Sequence, residues 1–254
     1  MAAENGLVGR RILVTGAAGG QGAAVARRLA ASGAALALTD LPGEALDRVV
    51  AELEDGGRVV SIGADVTDEA QVSAVCTRAT AVLGGLDGLY NNAGVYWHDR
   101  DAPVDRLPRE VWDAVLAVNV TGPYLFCKHA LEALRRSGRG VVVNVASTAG
   151  HAGDPDCHAY AASKGALIAL TRSIAQRYGV DGLRAVALCP GFVETAMVDF
   201  AVADATIAER VRRATALRRL GQPDEIAAVA AFLLSDDASF VTSVVIDAHG
   251  GLIK

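Results

Sequence analysis

The sequence has no apolar stretch approaching the roughly 20 residues that a membrane-crossing helix requires, because its aliphatic runs are short and broken by glycine or charge. It has no Cys-x-x-Cys spacing. Cys76, Cys127, Cys157 and Cys189 stand far apart, so neither a zinc site nor a disulfide framework is suggested, and four free thiols are expected. It has no excess of positive charge: 24 Lys and Arg face 29 Asp and Glu for a net charge of -5. The one basic cluster, Arg210 to Arg219, sits in a helical pattern between apolar residues, which argues against a nucleic-acid partner. Met1 to Arg10 carry Glu4 and Asn5 and no apolar segment followed by a small-residue cleavage site. That argues against a secretory signal and for the cytoplasm. No repeat or low-complexity tract is visible.

What remains is 254 residues, 52% of them hydrophobic, enough for one large α/β domain. Short aliphatic runs alternate with longer segments of helical period, the pattern of repeated βαβ units and of a parallel sheet covered on both faces. Strands are predicted at 11–15, 35–40, 58–63, 86–90, 140–145, 183–189 and 244–248, giving a seven-stranded, doubly wound Rossmann fold. Pro42 is expected to begin the second helix, Thr67 and Asp68 to cap the third, and Pro223-Asp224-Glu225 to open the last.

The first strand runs into Gly16-Ala17-Ala18-Gly19-Gly20-Gln21-Gly22 and then an Ala-rich helix. Glycine there lets a phosphate approach the amides at a helix N-terminus, although tight strand–helix turns use glycine as well. Asp40, roughly 20 residues further on at the end of the second strand, is placed to accept hydrogen bonds from ribose hydroxyls. Together they read as a dinucleotide site. Asp40 would repel a 2′-phosphate and Leu41-Pro42-Gly43 offers no cation to neutralise one, so NAD is expected over NADP.

Tyr160 and Lys164 are four apart in His158-Ala159-Tyr160-Ala161-Ala162-Ser163-Lys164, on one face of a helix. An ammonium beside a phenol stabilises the phenolate, which would make Tyr160 an acid/base at accessible pH. Tyr-x-x-x-Lys also arises by chance on ordinary helices, so its company matters. Ser147 follows a strand at the carboxyl edge of the sheet, and Asn119 lies in the helix before it.

In these marks the sequence resembles the classical short-chain dehydrogenase/reductase family along essentially the whole chain. They are Thr15-Gly16-x-x-x-Gly20-x-Gly22, Asp65-Val66, Asn91-Asn92-Ala93-Gly94, Asn119, Ser147, Tyr160-x-x-x-Lys164, and Pro190-Gly191-Phe192-Val193-Glu194-Thr195. The resemblance implies an NAD-dependent oxidoreductase of CH–OH groups with Asn119, Ser147, Tyr160 and Lys164 as its catalytic set. It implies that Asp65 and Val66 hold the adenine, and that Asn92, Ala93 and Gly94 line the cofactor cleft. Val193 and Thr195, following Pro190 and Gly191, would hold the nicotinamide amide, and Lys164 its ribose. Asn119 would fix a water linking Lys164 to solvent. Gln21 and His249 depart from the family pattern, His249 standing where aspartate is usual. The resemblance also implies assembly as a homotetramer, or a homodimer, through the helices at 111–136 and 160–178.

The segment 192–216 is expected to form a lid over the substrate. His151, Gly153, Cys157 and Met197 are candidate substrate contacts. The polarity of the loop between Ser147 and Tyr160 leans toward a small polar substrate, while Tyr96, Trp97, Phe192, Met197 and Phe200 supply apolar surface for a ring. His151, Asp154 and His158 have no metal-ligand spacing, and no metal is expected. The function expected is a dehydrogenase of a cyclic or small polar secondary alcohol. A 3-oxoacyl thioester reductase is the alternative, and a non-catalytic NAD(H)-binding regulator the reading from another class.

Overall fold

The computed structural model describes residues 6–53 and 58–252; part of the stretch Met1–Arg10 read above lies outside them. Seven strands, β1 (Arg11–Thr15), β2 (Ala35–Thr39), β3 (Val59–Ser61), β4 (Gly88–Asn91), β5 (Val141–Val145), β6 (Arg184–Pro190) and β7 (Val245–Ala248), form one parallel sheet. Its order is β3-β2-β1-β4-β5-β6-β7. The helices between them are α1 (Gly20–Ala31), α2 (Glu44–Leu53), α3 (Glu69–Leu83), α4 (Arg109–Leu116), α5 (Gly122–Arg136), α6 (Ala149–Ala152), α7 (His158–Tyr178), α8 (Asp199–Ala203), α9 (Ala205–Ala214) and α10 (Pro223–Leu234). The fold is a single-domain α/β Rossmann fold.

Side chains alternate across the sheet with period two, and because helices cover both faces, both sets are buried. Ile12 and Val14, Leu36 and Leu38, Val141 and Val143 join one core with α1, α2 and α10, whereas Leu13, Ala37 and Val142 join the other with α3 and α5. That double burial explains why the strands read as continuous aliphatic runs. Among the described residues no helix is long and apolar enough to cross a membrane.

Local signals place some helix starts. The Asp68 carboxylate accepts from the Ala70 and Gln71 amides at the start of α3. Gln222 and Glu225 close a capping box around Pro223 at the start of α10. The second helix begins at Glu44 rather than at Pro42: the Gly43 carbonyl accepts the Leu46 and Asp47 amides. Pro42 instead packs where a Cβ on Gly63 would lie 2.9 Å from it. The long helix through Asn119 is continuous but contains a π turn, Ala117–Thr121, between α4 and α5.

The strand order reverses at the β1–β4 junction, which leaves a crevice at the carboxyl ends of the strands. The segments that follow β1, β4, β5 and β6 all emerge there.

Candidate active site

Those segments border one cavity of about 1270 Å³. At one end lie Gly16, Gly20, Gln21, Asp40, Asp65 and Val66; Asn92, Ala93 and Gly94 line its middle, with Ser147, Tyr160, Lys164, Pro190, Gly191, Val193 and Thr195 beyond.

The glycine turn fits a phosphate on its own geometry. Gly19 at the N-cap of α1 gives no side-chain cap, and no acid stands in the first turn, so the helix's unpaired amides and positive end remain available. Gly22 packs under the turn, where a Cβ would lie 2.0 Å from the Gly16 carbonyl oxygen. Thr15 holds the opposite wall: its Oγ1 accepts the Asn92 and Ala93 amides, each at 3.1 Å, while Asn92 Nδ2 donates to the Gly16 carbonyl at 2.9 Å. Asp40 is fixed in place by the Ala18 and Leu41 amides, both at 2.8 Å, one on each carboxylate oxygen. Each oxygen keeps a further lone pair for a hydroxyl.

At the other end, α7 carries Tyr160 and Lys164 on one face. Lys164 is buried, donates to the Val145 carbonyl at 2.9 Å, and its Nζ lies 5.6 Å from the Tyr160 ring centroid. Burial, only partly opposed by Cys189, brings the Lys164 ammonium down to about 8. Burial also pushes the Tyr160 phenol up to about 12, against a hydrogen bond from Ser147 that favours the phenolate. This corrects the sequence expectation for the protein alone: desolvation outweighs the lysine, and the group that pulls the phenol down is Ser147.

Asn119 lies beneath the cavity wall, completely buried in the π turn, a distortion that frequently marks functional sites. Its Oδ1 accepts the Val95 amide at 2.8 Å, and its Nδ2 donates to the Val95 carbonyl and to Ser163 Oγ. Ser163 in turn donates to the Tyr160 carbonyl at 2.7 Å. A Cβ on Gly94 would sit 3.2 Å from Asn119 Oδ1 and 3.3 Å from Lys164 Nζ, so glycine keeps the gap between those two polar atoms open.

The substrate-side expectations divide. Gly153 and Met197 line the cavity. His151 does not: its Nε2 pairs with Asp247 at 2.9 Å beside a separate small cavity, because α6 turns the ring toward β7. Cys157 does not either; it is buried behind Tyr96, whose phenol hydrogen-bonds to it. Asp154 caps the Asp156 and Cys157 amides and His158 Nδ1 accepts the Val104 amide, so His151, Asp154 and His158 have separate structural partners. His249 Nδ1 likewise accepts the Leu252 amide at 2.8 Å.

Sequence reasoning names Tyr96 and Phe200 but not their contacts, and it misses Asp101. Tyr96 packs edge-on against Tyr160 with ring centroids 4.7 Å apart, and Phe200 of α8 stacks on His98 at 3.8 Å. Asp101, 6% exposed, accepts the Tyr160 amide on Oδ2 and the Ala102 and Ala159 amides on Oδ1. It caps α7 from a loop 59 residues away in sequence, so no capping residue is visible next to the helix. An acid in an Asp-rich loop gives no sequence signal for that role.

A family model described as enoyl-(acyl carrier protein) reductase matches residues 16–253. Levodione reductase of Leifsonia aquatica is 39% identical, with 95% of this chain and 93% of the relative covered. Cis-4-hydroxycyclohexanecarboxylate dehydrogenase of Sinomonas cyclohexanicum is 41% identical, covering 95% of this chain and 96% of the relative. The crystal structure of levodione reductase superposes with a TM-score of 0.91 at 38% identity, covering 96% of this chain and 97% of the other. The chain belongs to the classical short-chain dehydrogenase/reductase family, and it is an oxidoreductase of CH–OH groups that uses a nicotinamide cofactor.

Proposed function

We propose that the protein is an NAD-dependent dehydrogenase of a cyclic secondary alcohol. The observation that carries this reading is one continuous cavity with Asp40 at one end and the Ser147–Tyr160–Lys164 group at the other. Asp40 suits two free ribose hydroxyls and opposes a 2′-phosphate. Lys164 and Arg210 are the cations on the cavity wall, and both belong to the end remote from Asp40 in the fold. The glycine turn and the helix N-terminus would take the pyrophosphate, Asp65 and Val66 the adenine side, and Pro190, Gly191, Val193 and Thr195 the nicotinamide side.

When bound, the oxidised nicotinamide supplies the hydride acceptor and a positive charge. The chain's own residues do the proton work. Ser147 Oγ and the Tyr160 oxygen hold the substrate oxygen between them, and Tyr160, as its phenolate, takes the hydroxyl proton and becomes the phenol as the carbonyl forms. Beside the cofactor's positive charge, the Lys164 ammonium, 5.6 Å from the Tyr160 ring centroid, would add to the stabilisation of the phenolate that Ser147 provides. The free lone pair of Asn119 Oδ1 faces Lys164 across Gly94, which suits a bridging water through which the proton leaves. Asn119 also steadies Tyr160 through Ser163.

Tyr96, Trp97, Phe192 and Met197 on the wall favour a ring-sized apolar body, consistent with the cyclic substrates named for the two relatives. Residues 192–216, with α8 and α9, act as the lid. Exposed Tyr124 on α5, and Phe232, Phe240 and Val244 toward β7, suit burial between copies in a homodimer or homotetramer. Its place is the cytoplasm.

Initial rates with NAD⁺ and NADP⁺ over a panel of cyclic alcohols, for wild type beside Tyr160→Phe, test the reading. Turnover with NAD⁺ that falls at least ~100-fold in Tyr160→Phe supports it. A preference for NADP⁺ removes the Asp40 argument, and undiminished turnover by Tyr160→Phe removes the mechanism.

A further inference from the structure

The basic cluster at Arg210–Arg219 spans the end of α9 and the loop after it. Four of its five arginines are engaged. Arg212 and Arg213 pair with Glu209 at 3.1 and 2.8 Å, Arg218 donates to the Arg213 carbonyl, and Arg219 pairs with Glu225 at 2.6 Å. Among the described residues Arg210 has no carboxylate or carbonyl partner, although Glu209 is adjacent in sequence.

Its direction follows from the way α9 packs. Val211 is buried in a lid cluster with Val198 and Leu220, against which Ile207, Phe192 and Phe200 pack, and Ala208 is buried as well. That fixes the rotation of the helix and places Arg210 and Ala214, one turn apart, on the stripe that borders the main cavity beside Met197 and Val198. Lys164, the other cation on that wall, is buried and already donates to the Val145 carbonyl. The cavity therefore carries one uncommitted, permanently charged, fork-shaped donor, on the element that covers the substrate. Asp154 and Asp156, after α6, also line the cavity and would disfavour an anion beside them.

We propose that Arg210 is an anion subsite for the substrate, so that the alcohol oxidised here carries a carboxylate or similar oxyanion remote from its hydroxyl. This deepens, and rests on, the reading of a cyclic secondary alcohol. The apolar ring would lie against Tyr96 and Trp97 with its hydroxyl at Tyr160, and the oxyanion would meet Arg210 as the lid settles. A planar guanidinium takes a carboxylate through two parallel hydrogen bonds. Because Arg210 is exposed, the interaction weakens with salt.

The test uses two readouts. The first is the ratio of kcat/KM for cis-4-hydroxycyclohexanecarboxylate to that for 4-methylcyclohexanol, with NAD⁺, in wild type, Arg210→Met and Arg210→Lys. The second is the affinity of the enzyme–NADH complex for cyclohexanecarboxylate against cyclohexanecarboxamide, read from NADH fluorescence, which needs no turnover. The expected result is a preference for the carboxylate in wild type that falls about tenfold in Arg210→Met in both readouts, is partly kept in Arg210→Lys, and shrinks at high salt. A wild type without preference, or an Arg210→Met protein that keeps it, overturns the subsite even if neutral cyclic alcohols are oxidised. An Arg210-dependent preference in binding, with no cyclic alcohol oxidised, supports the subsite and removes only the substrate class proposed above.

Discussion

Asp101 offers the sharpest test of how the fold places Tyr160, the proposed acid/base. Its carboxylate holds three backbone amides, at 2.8 Å from Tyr160, 3.1 Å from Ala159 and 2.8 Å from Ala102. Two of these belong to the first turn of α7, where no intrahelical acceptor exists. Ala159 is completely buried, so water cannot replace the lost acceptor there. Asp101→Ala strands both helix amides at about 1–3 kcal/mol for a buried donor, less whatever the turn recovers by fraying, for a net loss of about 2–4 kcal/mol. In a chain of this size that lowers Tm by roughly 5–15 °C. Asp101→Asn keeps one carbonyl oxygen but loses the charge at the helix N-terminus and sets an NH₂ against an N–H. It should cost about half as much.

The catalytic effect should follow the fraying. A displacement of Tyr160 by about 1 Å costs on the order of 100-fold in rate, whereas Asp40 and the glycine turn lie on other elements. Circular-dichroism melts beside initial rates at saturating NAD⁺ therefore give a lowered Tm and a kcat reduced about 100-fold in Asp101→Ala, with the KM for NAD⁺ nearly constant. The pH dependence of kcat should also change, as the phenol is freed from its contact with Ser147. A Tm within 1 °C of wild type would refute the cap, and a lowered Tm with full kcat and an unmoved pH profile would refute its link to Tyr160.

Other expectations follow from groups already described. Ser147→Ala removes the hydrogen bond that favours the Tyr160 phenolate, so the alkaline rise of kcat for alcohol oxidation should move to higher pH as well as fall; an unmoved profile would count against Ser147. Gly94→Ala would press a methyl between Asn119 and Lys164, and kcat should fall at least about tenfold with little change in melting temperature. Asp87, with no exposed side-chain surface and paired to Arg11 and Arg139, is held down to about 2 from 3.8. Its folded value lies below its unfolded one, so its contribution of about 2 kcal/mol is present above pH 4 and is lost as pH falls through 2. Asp87→Asn should flatten that part of an acid-unfolding curve. The four thiols are buried and burial raises each, so a disulfide reagent at pH 8 should label the native protein far more slowly than the unfolded chain.

Much of the site was legible from local chemistry. The strand β1, the glycine turn and Asp40 are neighbours along the chain or one βα unit apart, and Tyr160 and Lys164 are one helical turn apart, so pattern and spacing suffice to find them. The Asp68 cap and the Pro223 start are likewise local. His151 and Cys157 looked like substrate contacts because they lie between Ser147 and Tyr160, but α6 aims one at Asp247 and the packing of Tyr96 covers the other. Pairings between distant segments decided those outcomes.

What the sequence determined by itself is therefore the alternation of aliphatic strands and helices, the turn that exposes amides at a helix N-terminus, and the identity of the titrating residues. Each depends on backbone preference, side-chain period or functional-group chemistry, which act over a few residues. Only the tertiary structure decided that Asp101 caps the tyrosine helix, that burial sets Tyr160 and Lys164 against their ordinary values, and that Arg210 alone among its neighbouring arginines borders the cavity unpaired. Those properties arise from desolvation and from contacts between segments far apart in the chain, and both exist only once the sheet has brought its carboxyl ends together.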